Sequence, residues 1–195
     1  MRNVGIRGID FLASNMNGLL EQTGHVFEIL EMIDVSKVDS ASVMNNCSNL
    51  KSLSFRRCGF LMTSSVHMQR AYSHFMSLET LKLSLNTIGT DFYEYIICYK
   101  NLQIFHVRYS SKISDNFVEN LVENHVFKLL VKFYAVHCPL TESTANLLID
   151  KCNKLRALGD LKCWEIVGNG IQNLKSRVRS QNLALVFVET HQMQF

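Results

Sequence analysis

Six cysteines and seven histidines are the residues with most chemistry to offer in this chain. Cys47 and Cys58 lie eleven positions apart, as do Cys152 and Cys163, and a repeated spacing of soft ligands raises a zinc site. Structural zinc normally takes closely paired ligands such as Cys-x-x-Cys, and no such pair occurs. The histidines at positions 25, 67, 74, 106, 125, 137 and 191 form no His-Glu-x-x-His motif; His67 and His74 read as residues of one helix. Gly168-Asn-Gly170 lacks the strand-to-helix setting of a phosphate loop, and there is no Gly-x-Ser-x-Gly elbow. The sequence therefore points to no catalytic residues, no metal and no cofactor. The cysteines are expected in buried or turn positions, the usual place of free thiols that do no chemistry.

The elements that must position these residues follow one template. From a leucine anchor, apolar residues recur three and five positions later, and a compact side chain follows at eight. Leu50 gives Leu53, Phe55 and Cys58; Leu78 gives Leu81, Leu83 and Asn86; Leu102 gives Phe105, Val107 and Ser110. Leu130 gives Phe133, Ala135 and Cys138, and Leu155 gives Leu158, Asp160 and Cys163, with the charge at Asp160 departing from the pattern. The anchors are 28, 24, 28 and 25 residues apart, inside the roughly 20–29 of leucine-rich repeats. Phe27, Leu30, Met32 and Val35 fit the same offsets, as do Ile6, Ile9, Phe11 and Ser14.

Offsets three and five alternate, so each unit holds a short strand with those side chains turned inward. Parallel strands need crossovers, and the intervening segments read as helices. Met68, Ala71, Tyr72 and Phe75 form one helical face; Phe92, Tyr95, Ile96 and Tyr99 form another, and Ala145, Leu148, Ile149 and Cys152 a third. Val118, Leu121 and Val122 give a shorter face after Ser114-Asp115, and Thr141 is a candidate N-cap. The expected fold is an α/β leucine-rich-repeat solenoid, a curved horseshoe with parallel strands on its concave face and helices on its convex face. Residues 27–164 carry the repeats and 1–26 a possible degenerate first unit. Residues 165–195 read as a C-terminal cap, with Ile171, Leu174 and Val178 on a helix and Leu183–Val188 as a strand.

Composition narrows the function classes. Hydrophobic residues make up 47% and charged residues 19%, which fits a folded chain and not a disordered one. A net charge of +3 without a dense Lys/Arg stripe gives no case for nucleic acid. No apolar run reaches the ~18 residues of a membrane span, and the first residues lack the apolar core of a secretory signal. A cytoplasmic or nuclear protein with reduced cysteines is the expectation.

Cys47 to Cys58, Cys152-Asn-Lys-Leu-Arg-Ala-Leu-Gly-Asp-Leu161, and Trp164 followed by a basic helix and Asn182-Leu-Ala-Leu185 resemble the cysteine-containing repeats of F-box/leucine-rich-repeat proteins. The resemblance spans roughly residues 27–190. It implies the substrate-recognition half of a ubiquitin ligase, in which an N-terminal F-box docks on the Skp1 adaptor of a cullin complex. No Leu-Pro F-box segment precedes the repeats here, the single proline being Pro139. Skp1 and a cullin are thus expected as partners only of a longer form carrying an F-box. A fragment, a truncated product and an independent repeat scaffold all remain open.

The outward strand residues, at offsets two, four and six with seven at the edge, are the place to seek a partner. From Leu50 to His137 they comprise Ser52, Ser54, Arg56 and Arg57; Thr80, Lys82, Ser84 and Leu85; Ile104, His106, Arg108 and Tyr109; Lys132, Tyr134, Val136 and His137. None of the sixteen is acidic. Arginine and aromatic residues are the types enriched at interface centres. The expected ligand is an acidic or phosphorylated protein segment held by Arg56, Arg57, Lys82, Arg108 and Lys132, with His106, Tyr109, Tyr134 and His137 on the same surface.

Overall fold

The computed structural model describes residues 3–8, 13–61, 77–84 and 96–189. The helical faces expected at Met68–Phe75 and Phe92–Tyr95, together with Leu85 and Asn86, lie outside them. The chain forms two compact units, residues 1–101 and 102–195.

The first unit contains strands β1 (Asn3–Arg7), β2 (Ile29–Ile33), β3 (Ser52–Arg56) and β4 (Thr80–Ser84). They pair in parallel, each in register with the next: Leu30 lies opposite Leu53, Leu53 opposite Leu81, Met32 opposite Phe55, and Phe55 opposite Leu83. Helix α1 (Ala13–Thr23) joins β1 to β2, and α2 (Ser40–Asn46) joins β2 to β3. The offset-three and offset-five side chains, Leu30, Met32, Leu53, Phe55, Leu81 and Leu83, are all buried. Full burial of each contributes about 1.5–3 kcal/mol before ordering entropy is subtracted. Gly24 is needed where the coils close on one another, since a Cβ there would lie 2.8 Å from the Asn46 carbonyl oxygen at the end of α2.

The second unit repeats the plan with β5 (Ile104–Arg108), β6 (Lys132–Val136), β7 (Ala157–Gly159) and β8 (Val186–Val188), again parallel within the unit. Helices α3 (Asp115–Glu123), α4 (Glu142–Lys151) and α5 (Gly170–Ser180) form the crossovers. Thr141 caps α4 by accepting from the Ser143 amide at 3.1 Å. Its own amide and hydroxyl, with the Thr144 hydroxyl, donate to Asp115 at 2.9, 2.6 and 2.5 Å, so the start of α3 is bonded to the start of α4. Phe105, Phe127, Phe133 and Trp164 form a continuous aromatic core with neighbouring centroids 5.7–6.0 Å apart. The Trp164 indole donates to the Ala135 carbonyl at 2.9 Å. This architecture is an α/β leucine-rich-repeat solenoid.

Three expectations change. The earliest unit is shifted: Ile6 pairs with Met32 and Val4 with Leu30, which puts Ile6 at offset five instead of at the anchor. Any apolar pair two residues apart imitates offsets three and five, and strand pairing selects the Val4–Ile6 pair. The C-terminal strand is Val186–Val188, shorter than the Leu183–Val188 run. Asp160 is buried because it caps the 3-10 turn Leu161–Cys163, accepting from the Lys162 amide at 3.2 Å.

Candidate protein-interaction face

The residues that follow β2, β3, β5 and β6 share an unusual backbone. Asp34, Arg57, Tyr109 and His137, all at offset seven, have φ of 59°, 52°, 54° and 53°. This left-handed region is uncommon for residues with a Cβ and persists only where the surroundings over-determine it. Here the amides of Asp34, Arg57 and Tyr109 donate to the next coil, to the carbonyls of Arg56, Ser84 and Val136 at 2.9, 2.8 and 2.8 Å. Within each unit the turn thus aims successive side chains outward at an edge of the strand face.

In the first unit that edge is an ion pair. Arg57 donates from both its Nε and a terminal nitrogen to Asp34, at 2.5 and 2.7 Å. The Arg57 hydrogen bond holds the Asp34 carboxyl below the ordinary carboxylate range against a smaller push from burial; the charges of Arg57, Arg7 and Arg56 add to it. Arg56 likewise pairs with Glu31 at 3.3 Å. Lys82 is half-buried in β4, in register with the buried Ser54. Arg56 and Arg57, expected on the binding surface, thus already meet acids. The acids come from the preceding repeat, where Glu31 and Asp34 sit at offsets four and seven from Phe27.

In the second unit the same positions carry rings. Tyr109 and His137 stack at 4.9 Å with planes 20° apart, and Tyr109 is 51% exposed. The buried His106 is 1% exposed although it points outward, because Tyr134 meets it edge-on at 5.4 Å and Arg108 lies over it. His106 Nε2 accepts from Arg108 Nε at 3.2 Å, which tethers the guanidinium at one nitrogen. Lys132 is exposed, Arg108 and Tyr134 are half-buried, and burial pushes the Tyr134 phenol up. His106, expected on the binding surface, thus lies buried beneath Arg108. No sequence signal marks this burial, since the outward alternation alone places His106 in solvent.

The cysteines serve the coils. The Cys58 thiol donates to the carbonyls of Met32 and Arg56 at 3.4 Å, and Cys138 to that of Val136 at 3.7 Å. Burial pushes the Cys47 and Cys152 thiols up to about 12 and Cys138 to about 11, away from the reactive thiolate. Among the described residues, no group of three or more His, Cys, Asp or Glu could hold a metal ion, and no helix is long and apolar enough to cross a membrane. A concavity of about 430 Å³ lies beside α3 and α4, where Glu119 and Glu123 and the cations Lys128 and Lys151 give it charges of both signs.

No family model matches the chain, and no curated protein matches it significantly. Among solved structures it is similar to an internalin from Listeria monocytogenes, with a TM-score of 0.56 and 12% identity over the whole of this chain. It is also similar to a protein from Bacteroides fragilis, with a TM-score of 0.53 and 14% identity, again over the whole chain. The chain spans 48% of the internalin chain and 67% of the Bacteroides one. At such identities these likenesses speak for the leucine-rich-repeat fold.

Proposed function

We propose that this chain is a non-enzymatic protein-interaction module that binds an acidic or phosphorylated protein segment on the outward face of β5 and β6. Arg108 and Lys132 meet the acid, and Tyr109, Tyr134 and His137 pack beside it. The observation that carries this reading is the exposed Tyr109–His137 stack at the end of a strand pair that presents Arg108 and Lys132 and no outward carboxylate. Arg56 and Arg57 play a lesser part, because they already face Glu31 and Asp34. Fluorescence anisotropy with a labelled acidic peptide, its phosphoserine version and a neutral control tests it. The double variant Arg108→Glu/Lys132→Glu should weaken binding of the acidic and phosphorylated peptides at least ~10-fold, since reversing a contacting charge both removes attraction and adds repulsion. Equal affinity for all three peptides would sink it.

A finer reading within this class is the substrate-recognition part of an F-box-type ubiquitin ligase receptor. It is supported by the cysteine-containing repeats and by the buried Trp164 that follows them. A longer form with an F-box should co-purify Skp1 and a cullin. A longer form that carries an F-box yet captures neither would favour an independent repeat scaffold or adaptor.

A further inference from the structure

The register of β5 and β6 sets out the surface as a grid. Ile104 lies opposite Lys132, His106 opposite Tyr134, and Arg108 opposite Val136; the stacked Tyr109 and His137 close the end. Lys132 therefore stands one strand across and four residues along from Arg108. At about 3.3 Å per residue that is roughly 13 Å along the strands. An extended segment has the same rise, and its residues i and i+4 share a face. Between the two cations the floor is aromatic, with Tyr134 half-buried over His106 and no acid among the outward residues. The two anchors also differ in kind. The Arg108 guanidinium is a planar fork tethered at Nε by His106, and its shape suits a planar carboxylate or a phosphate. Lys132 is an exposed ammonium on a flexible stem.

Resting on the reading above, we infer that the occupant is an extended segment lying along β5 and β6 with two acidic groups four residues apart. A flat side chain next to the acid at Arg108 packs against the Tyr109–His137 stack. Residues i+2 and the small side chains around it lie over Tyr134. The charges select the spacing, and the stack selects which acid meets arginine.

Four labelled peptides of one composition test this: two glutamates placed two, four or eight residues apart, each with a tryptophan next to one glutamate, and a four-residue peptide with the tryptophan moved to its far end. Each is titrated into the full chain by anisotropy. The four-residue spacing should bind at least ~5-fold tighter than the others, and Arg108→Ala or Lys132→Ala should each remove that preference, because each leaves one anchor. Tyr109→Ala should erase only the difference between the two tryptophan placements. Equal binding of all spacings, still lost in Arg108→Glu/Lys132→Glu, would overturn the grid while keeping an acid-binding face. Absence of binding by every peptide would overturn both. Circular dichroism of each variant confirms that the fold is intact when affinity is compared.

Discussion

Arg57 and His137 stand at the same place in their repeats, with φ of 52° and 53°, and they do opposite things. Arg57 is clamped by Asp34 from the coil before it, so the edge of the first unit satisfies its own charge. His137 lies flat on Tyr109, so the edge of the second unit is a ring platform. One position inward the contrast repeats: Arg56 meets Glu31, whereas Arg108 rests on a buried histidine. The lesson concerns neighbours. In a parallel stack a side chain's partner is the same offset one coil away, so the character of a strand face is decided by pairs of repeats.

The comparison can be broken first at the thiols, where the halves should agree. With Cys47 and Cys152 at about 12 and Cys138 at about 11, alkylation at about pH 8 should run ~100-fold or more slower in the native protein than in urea, because the thiolate is the nucleophile. Mass spectrometry of the labelled sites reads it. Fast labelling of Cys138 alone would mark the second unit as loosely packed. The next largest effect lies in the cores. Phe133→Ala removes a buried ring from a four-ring cluster and should cost about 3–5 kcal/mol in urea unfolding. Phe60→Ala removes a half-buried ring that meets Phe55 edge-on and should cost less, because less of its surface is out of water.

Double-mutant cycles sharpen the contrast at the edges. Tyr109 and His137 should couple by about 0.5–1.5 kcal/mol at most, the range of aromatic pairs, and molar salt should leave the coupling nearly unchanged. The Asp34–Arg57 coupling should shrink in the same salt, since exposed ion pairs are screened. Salt sensitivity at both edges would erase the distinction. The smallest effect is in acid. Asp34 is held low by Arg57. At Asp115 burial pushes upward, but the bonds from Thr141 and Thr144 together outweigh it and leave the carboxyl low. A depressed carboxyl stabilises the fold fully above its unfolded value, and that contribution is lost as pH falls through the folded value. Asp34→Asn and Asp115→Asn should therefore each lose less stability than the parent chain between about pH 6 and pH 3. Identical acid profiles would count against both bonded carboxylates.

Much of the fold was legible in the spacing. Offsets three and five from Leu50, Leu78, Leu102 and Leu130 name inward residues that are buried, because a strand that buries one face must alternate. The capping role of Thr141 was legible too, since a hydroxyl before a helical run has an orphan amide to satisfy. The earliest unit was not, because Val4–Ile6 and Ile9–Phe11 have the same two-residue separation. The candidate face was half legible. Its residue types are plain in the sequence, but Glu31 and Asp34 matter only through register, and counting outward residues from Leu50 leaves them out.

The sequence by itself determined the repeat, its inward residues and the absence of closely paired metal ligands, because these depend on spacing along one chain. Tertiary structure alone decided that Arg56 and Arg57 face Glu31 and Asp34, that His106 lies beneath Arg108, and that Tyr109 and His137 stack. Each of these pairs joins consecutive coils or follows from how neighbouring coils cover one another. The roughly 4.8 Å between strands brings together residues more than twenty positions apart, a contact that no local pattern encodes.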